Sequence, residues 1–314
     1  MPDHTAATPC IEIRGLYKTY GAVHALEGAD LTVRTGEMFG FLGPNGAGKT
    51  TTLRILMGLL RATAGRATVF GLDAWRDSTA IRASVGYLPG DVRFHEWMRG
   101  TAFLAFCDRV RGGGHAAEIE RLRTRFELDA RRRIRDYSAG MKQKLGLIQA
   151  LMHRPRLLIL DEKPTALDPL VRQTVYDELR AAVQRGQTVL FSSHTLSEVQ
   201  LLCDRVAIIR RGRIIEDSTI ADLQRRAMET QSIRRVEFTL RNHAGAAPAP
   251  PPNLDAAPIG DGRWVGHWRG PIDGLLPWLA QQDVTDVAIG APSLEELFHD
   301  FYRDTPTAAQ ETAA

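Results

Sequence analysis

The amino-acid sequence predicts an α/β fold whose main sheet is largely parallel. Two short apolar runs, 157–160 (LLIL) and 188–191 (TVLF), are typical of strands buried on both faces, as they are at the centre of a parallel sheet. The first run ends in Asp161 and Glu162, and the second leads to His194. Polar side chains after such strands lie at the carboxyl edge of the sheet, where open α/β sheets bind their ligands.

A glycine-rich loop lies between an apolar run and a predicted helix, in the stretch 38–53 (MFGFLGPNGAGKTTTL). Its spacing matches GxxxxGK[ST], in which small residues let backbone N–H groups point at phosphate oxygens. The helix expected to begin near Lys49 adds the positive end of its dipole. Lys49 is placed to reach the β- and γ-phosphates, and the Thr50 hydroxyl to bind Mg²⁺. The predicted phosphate cradle consists of Gly43, Pro44, Asn45, Gly46, Ala47, Gly48, Lys49, Thr50 and Thr51.

This loop predicts a site for a nucleoside triphosphate, but it does not distinguish a transporter ATPase from a kinase or a GTPase. The chain has 314 residues, enough for one large and one smaller domain, and its net charge of +3 is too small to indicate nucleic acid as a partner. Three widely separated cysteines predict neither a disulfide framework nor a metal cluster, which fits a reducing cytoplasm. No apolar stretch approaches the ~20 residues that span a bilayer, so a membrane role would need a partner chain.

Further strands and a helical region surround the loop. The strands predicted from alternating or apolar patterns are 11–14, 31–33, 66–71, 84–89, 205–209 and 213–215. Over about 92–136 the pattern becomes helical, and this stretch is predicted to be an insertion. Seven arginines between Arg121 and Arg135 are interpreted as its solvated surface.

The segment 137–143 (YSAGMKQ) opens the helix that follows the insertion. It resembles the LSGGQ signature of ATP-binding cassette (ABC) proteins: Ser138 and Gly140 are kept, while Tyr137 replaces the leucine. With the phosphate loop before it and the two carboxylates after it, this segment makes residues 10–225 similar to the nucleotide-binding subunit of an ABC transporter. The resemblance implies a P-loop NTPase core with a mainly parallel sheet, an antiparallel β subdomain and a helical insertion.

The resemblance implies ATP and Mg²⁺ as cofactors and gives roles to the residues at the sheet edge. Asp161 would hold the Mg²⁺ shell beside Thr50, and Glu162 would orient and deprotonate the attacking water. His194 would contact the γ-phosphate, as would Lys49 from the loop.

Further implied roles concern the base and the second subunit. Tyr20 would stack on the adenine. Ser138, Gly140 and the helix that follows them would close over the γ-phosphate held by the loop of a second subunit. Asp168 belongs to a loop that resembles the dimer-contacting loop of the family. The expected assembly is therefore a homodimer, or a pair of cassettes, with two ATP molecules between them.

Two positions depart from the family pattern. Gly90 stands where the family usually carries a glutamine that touches Mg²⁺ and senses the membrane partner, and Lys163 follows the catalytic glutamate. Hydrolysis is still expected, because the Mg²⁺ ligands, the base and the phosphate-binding lysine are all present.

The C-terminal third is predicted to be a separate small α/β domain over 231–303, after an ATPase domain over 10–228. A Pro/Ala loop lies within it, and a capping box at Ser293 begins its last helix. This domain resembles the tail domain of ATPases from bacterial multidrug and antibiotic exporters of the daunorubicin-resistance type. Residues 1–9 and 304–314 are expected to be flexible tails.

The predicted function is that of the ATP-hydrolysing subunit of an export complex at the cytoplasmic face of the membrane. It would act through a multi-spanning permease on a separate chain, which docks on the helical insertion and exports a drug-like or apolar compound. One alternative is a soluble ABC ATPase of ribosomes or DNA, but the chain has a single cassette and no sustained heptads. The other alternative is an importer subunit, against which the tail domain argues.

Overall fold

The computed structural model describes residues 9–161, 167–230, 233–241 and 250–292. The chain divides into two compact units, Met1–Ser218 and Thr219–Ala314. The second unit includes the helix Ile220–Thr230, which the sequence analysis placed in the first domain; the domain limits at 228 and 231 stay predictions. The predicted last helix from Ser293 and both predicted tails, apart from Pro9, lie outside the described residues.

The first unit is built from the following elements, in chain order: β1 (Pro9–Tyr20), β2 (Val23–Arg34), β3 (Met38–Leu42), α1 (Lys49–Leu56), β4 (Ala64–Val69), β5 (Leu72–Asp73), α2 (Ser78–Ser84), β6 (Val85–Leu88), α3 (Gly100–Val110), α4 (Ala116–Arg125), a 3₁₀ turn (Ile134–Asp136), α5 (Ala139–Leu151), β7 (Leu157–Asp161), α6 (Pro169–Gln184), β8 (Thr188–Ser193), α7 (Leu196–Leu202), β9 (Arg205–Arg210) and β10 (Arg213–Thr219).

The main sheet has the strand order β10-β9-β3-β8-β7-β6. The four pairs from β9 to β6 are parallel, and every residue of β3, β7 and β8 is buried. The strands predicted at 157–160 and 188–191 are therefore confirmed, together with the α/β fold class. Because these strands are parallel, the loop after β3, the end of β7 and the end of β8 meet at one edge of the sheet.

A second sheet with the order β2-β1-β4-β5 is antiparallel. The helix α1 packs its buried residues Leu53, Ile55 and Leu56 into a core that also contains Ile11 of β1 and Phe41 of β3. Each buried leucine or isoleucine contributes about 1.5–3 kcal/mol to folding. One continuous core thus fixes the helix that carries the phosphate loop against strands of both sheets.

The helical insertion is joined to α6 by an ion-pair network. The carboxylate of Glu178 on α6 is only 3% exposed and accepts hydrogen bonds from Arg121 at 3.0 and 2.7 Å. Arg125 lies 3.1 Å from the same carboxylate. A buried carboxylate needs such partners, since an unpaired charge inside a protein is strongly destabilising. Arg121 and Arg125 remain about 40% exposed, as expected for a surface, but each also pairs with this buried carboxylate, which the sequence analysis did not predict.

The second unit contains these elements: α8 (Ile220–Thr230), β11 (Ile233–Leu240), β12 (Leu254–Gly260), β13 (Arg263–Arg269), a 3₁₀ turn (Ile272–Gly274), α9 (Leu276–Gln281) and β14 (Val284–Gly290). Its antiparallel sheet has the order β12-β13-β11-β14. Phe238 and Trp264 stack with centroids 6.1 Å apart in an apolar core to which Leu275 and Leu279 also contribute. Patterns in the sequence at 236–240, 264–268 and 284–289 predict three of these four strands, whereas β12 was not predicted.

Within the described residues, no helix has both the length and the apolar character needed to cross a membrane.

Candidate functional site

The phosphate loop is shaped by glycines at positions where a side chain would clash with a neighbour or strain the backbone. A Cβ on Gly43 would lie 2.3 Å from the carbonyl oxygen of Ile209, and one on Gly48 would lie 2.7 Å from that of Ala25. Gly48 also has φ +113°, and Gly46 has φ +80°, a region that side chains rarely tolerate. No side chain caps the helix α1 that follows. The loop is thus a cradle of backbone groups beside a helix N-terminus, which fits a polyphosphate.

Lys49, the first residue of α1, lies inside this cradle. Its side chain is buried, and its Nζ donates hydrogen bonds to the carbonyl oxygens of Gly43 and Pro44 at 2.6 and 3.0 Å. The loop therefore curls around the ammonium group. A buried cation at this point favours an anionic ligand, because phosphate oxygens compensate its charge better than carbonyl oxygens do.

The next residue connects the loop to the end of β7. The Thr50 hydroxyl donates a hydrogen bond to Asp161 Oδ1 at 3.2 Å, and Asp161 is 2% exposed. A hydroxyl and a carboxylate are the hard oxygen ligands that Mg²⁺ prefers, with phosphate and water oxygens completing its shell. No group of three or more His, Cys, Asp or Glu side chains in the described part of the chain could hold a metal by itself. This donor set fits a metal that binds together with a nucleotide.

Tyr87 of β6 is a neighbour of Asp161 that the sequence analysis did not single out. Its hydroxyl lies 3.5 Å from Asp161 Oδ2. Burial, followed by the charge of Asp161, raises the pKa of Tyr87 to about 12, so the hydroxyl keeps its proton and donates. The sequence signal was a polar aromatic residue near the end of a predicted strand. In the structure this strand pairs with β7 in parallel, and Tyr87 lies opposite Ile159.

Three further residues were predicted to contact the nucleotide or the attacking water: His194, Tyr20 and Glu162. His194 comes directly after β8 and is exposed, at the edge where the phosphate loop and Asp161 lie. Tyr20 ends β1 in the antiparallel sheet, is 45% exposed and has the Lys18 ammonium 4.9 Å from its ring centroid. Glu162 lies outside the described residues.

The signature segment and the dimer-contacting loop both begin helices. Ser138 caps α5, its Oγ accepting a hydrogen bond from the backbone N–H of Met141 at 3.2 Å, and Gly140 lies in the first turn. Asp168 caps α6 in the same way through the N–H of Val171 at 3.0 Å. Both caps fix the orientation of a helix N-terminus. Contact of these residues with nucleotide stays a prediction.

Two curated relatives and a family profile decide the family. A profile described as "ABC transporter" matches residues 26–166. The chain is 36% identical over 311 residues to the daunorubicin resistance ATP-binding protein DrrA3 of Streptomyces coeruleorubidus, covering 93% of this chain and 95% of the relative. It is 40% identical over 226 residues to the daunorubicin/doxorubicin resistance ATP-binding protein DrrA of Streptomyces peucetius, covering 70% and 68% of the two chains. The chain belongs to the ABC transporter ATP-binding proteins.

Solved structures agree with this assignment. An ATP-binding subunit of an ABC transporter superposes on this ABC ATPase with a TM-score of 0.65 at 29% identity, over 69% of this chain and 92% of the other. A dimeric bacterial ABC transporter cassette gives a TM-score of 0.62 at 21% identity over 67% of this chain and 98% of the other, and shows the common fold. The family predicted from the motifs, its P-loop α/β fold and its ATPase activity are confirmed.

Proposed function

We propose that this ABC ATPase supplies the energy for export of a drug-like or apolar compound through a separate membrane permease, at the cytoplasmic face of the membrane. Two relatives are named for resistance to daunorubicin, and the alignment with one of them covers 95% of its length. The observation that carries the hydrolytic part is the Thr50–Asp161 contact at 3.2 Å beside the buried Lys49.

Nucleotide binding rests on the cradle. Backbone N–H groups of residues 43–48 and the N-terminus of α1 bind phosphate oxygens, and the Lys49 ammonium exchanges loop carbonyls for the β- and γ-phosphates. Tyr20, half-exposed at the end of β1, stacks on the adenine ring. These contacts hold the triphosphate still at the sheet edge, where the chemistry takes place.

For hydrolysis, Thr50 and Asp161 would hold Mg²⁺. When bound, the metal draws charge from the β- and γ-phosphate oxygens and makes the γ-phosphorus easier to attack. Glu162 orients the attacking water and accepts its proton, and His194 donates a hydrogen bond to the γ-phosphate.

The site is completed by a second cassette. Ser138 and Gly140, at the N-terminus of the 13-residue helix α5, face the γ-phosphate in the cradle of the partner, and Asp168 contacts the partner beside it. Support comes from a fold neighbour that is itself a dimeric cassette. ATP binding then closes the homodimer, or a pair of cassettes, and hydrolysis reopens it.

The permease docks on a groove of about 570 Å³ between α2 and α3. Arg82 and Arg111 line it and donate hydrogen bonds to backbone carbonyls; within the described residues neither has a carboxylate partner. Phe106 and Val110 are 48% and 70% exposed along the same wall. This combination fits a helical segment that carries an acidic residue among apolar ones.

Trp97 is, like Phe106, an exposed aromatic residue of the insertion, and we infer that the permease contacts it as well. It is 71% exposed. The sequence also offers Phe94 and Phe103 for this role; both are half-buried and pack edge-to-face against each other with centroids 5.1 Å apart.

The test is affinity purification of the tagged protein from detergent-solubilised native membranes, with ATP hydrolysis measured on the recovered complex. We expect a multi-spanning protein in stoichiometric amount, and loss of hydrolysis in Glu162→Gln. The variants Arg82→Glu and Arg111→Glu should lose the permease, whereas Arg109→Glu, an exposed arginine of α3 that does not line the groove, should keep it. Recovery of ribosomal proteins, or of no membrane protein, would contradict the transporter function.

A further inference from the structure

A tyrosine occupies the position before the signature serine, and it is locked into the insertion. Tyr137 is 7% exposed, and its hydroxyl donates a hydrogen bond to the Asp129 carbonyl oxygen at 3.3 Å. The same hydroxyl lies over Gly100, the first residue of α3, where a Cβ would approach it to 2.1 Å. Gly100 is therefore a hollow that the tyrosine hydroxyl fills.

The lock belongs to a longer pairing between two segments, 96–101 and 130–135. Its backbone hydrogen bonds run from Gly100 N to Arg132 O (3.2 Å), Thr101 N to Ala130 O (2.8 Å), Ile134 N to Met98 O (2.9 Å) and Arg135 N to Glu96 O (3.0 Å). The Lys142 ammonium on α5 also contacts the Glu96 carboxylate at 2.8 Å. The start of the signature helix is thus tied to the stretch that follows the Gly90 loop.

These contacts determine where the signature serine lies. Ser138 follows Tyr137 directly and caps α5, so the backbone that carries the tyrosine ring also carries the serine hydroxyl and leads into the helix N-terminus. We propose that Tyr137, seated in the Gly100 hollow, is a positioning residue that sets Ser138 for the ATP of the partner subunit. The inference rests on the proposed role of Ser138 in the dimer.

The paired segments also connect the contact of Tyr137 with Gly100 to the exposed surface of the insertion. The segment 96–101 contains the exposed Trp97, and the family glutamine that would sense the membrane partner is replaced by Gly90. A partner that displaces Trp97 acts on the signature through the paired segments, without a glutamine side chain.

A double-mutant cycle tests the lock. Gly100→Ala pushes the Tyr137 hydroxyl out of its hollow, and a displacement of about 1 Å in a catalytic group lowers turnover by up to roughly 100-fold. Tyr137→Leu empties the hollow. It should also lower turnover, but the loss should be several-fold smaller than that in Gly100→Ala. In the double variant the alanine methyl group enters the space that the hydroxyl leaves, so we expect turnover above that of either single variant.

Two readouts separate positioning from a structural defect. ATP affinity of the diluted monomer, which needs only the cradle, should stay within about twofold of wild type, because each variant leaves every cradle contact intact. ATP-driven dimerisation, measured in a Glu162→Gln background, should fall in parallel with turnover. If Gly100→Ala does not fold, the double variant compared with Tyr137→Leu alone still decides the matter.

Ser138→Ala distinguishes failure of this inference from failure of the proposed function. If Ser138→Ala leaves turnover unchanged, the proposed role of the signature is wrong, and the inference falls with it. If Ser138→Ala lowers turnover while Gly100→Ala leaves it unchanged, or the double variant is no better than Gly100→Ala, the lock alone is overturned.

Discussion

The phosphate loop packs against backbone atoms of the core strands, whereas the signature segment is joined to the insertion through the side chains of Tyr137 and Lys142. Gly43 and Gly48 press against carbonyl oxygens of Ile209 and Ala25, in strands of the core. Tyr137, which precedes Ser138, packs over Gly100, and Lys142, on the helix that Ser138 caps, contacts Glu96. Backbone contacts inside a core leave one arrangement, while side-chain contacts between helices permit several. We therefore expect the cradle to be the more rigid of the two regions and the signature segment the more mobile.

The largest predicted effect is that of Gly48→Ala, which tests the rigid half. An alanine there combines a left-handed backbone with a Cβ 2.7 Å from the Ala25 carbonyl oxygen. We expect the free energy of unfolding to fall by about 2–5 kcal/mol and ATP binding to be lost. Urea unfolding and ATP titration measure both quantities.

Gly71→Ala is the matched control for that variant. Gly71 has φ +79° but no atom within 4 Å of its Cβ position, and it lies outside the phosphate loop. Gly71→Ala should lower the free energy of unfolding by roughly 1–2 kcal/mol and leave ATP affinity unchanged. If Gly48→Ala binds ATP as well as Gly71→Ala does, the backbone does not shape the cradle.

Glu178→Ala tests how the insertion is attached. It leaves Arg121 and Arg125 without the buried carboxylate, and removing one partner of a buried pair costs roughly 3–5 kcal/mol. Because both guanidiniums are about 40% exposed, we expect a smaller loss of about 2–3 kcal/mol. Asp177→Ala, which breaks a solvent-accessible pair with Arg180 and a hydrogen bond from Gln173, should cost about 1 kcal/mol or less in the same unfolding experiment. Equal costs would show that the network does not hold the insertion.

The ion pairs of Glu178 also predict that the free energy of unfolding falls at acid pH. Burial by itself raises the pKa of Glu178, but hydrogen bonds from Arg121 and the charges of Arg185 and Arg125 outweigh it and hold this pKa below its ordinary value. Since the folded pKa lies below the unfolded value of about 4.3, the stabilisation is complete above about pH 4.3 and is lost as pH falls through the folded pKa. Unfolding of Glu178→Gln between about pH 3 and pH 7 should show a weaker acid dependence than wild type. Identical pH profiles would contradict this account.

The smallest predicted effect is that of Tyr87→Phe. It removes a hydroxyl 3.5 Å from Asp161 Oδ2 and keeps the ring. Loss of a hydrogen bond worth about 0.5–1.5 kcal/mol should raise the Mg²⁺ concentration for half-maximal hydrolysis roughly twofold to tenfold, with ATP affinity in the absence of metal unchanged. An unchanged Mg²⁺ requirement would show that Tyr87 does not orient the carboxylate.

The sequence predicted the phosphate loop and Asp161 better than it predicted the contacts of the signature segment and the insertion. Buried strands and the glycine loop have local patterns, so the edge that gathers Lys49 and Asp161 followed from 157–160 and from GxxxxGK[ST]. The contact of Arg121 with Glu178 joins residues 57 positions apart, and no local pattern indicates it. The same is true of Tyr137 over Gly100 and of Tyr87 beside Asp161, where the partner is set by packing between separate elements.

The central claim is that the cradle and the Thr50–Asp161 pair form one ATP and Mg²⁺ site. The most direct test is Mg²⁺-dependent ATP hydrolysis by Asp161→Asn, with ATP binding measured in EDTA on the same preparation. We expect turnover to fall by roughly 100-fold or more while metal-free ATP binding stays within about twofold of wild type. Wild-type turnover in Asp161→Asn, or loss of metal-free ATP binding, would contradict the account.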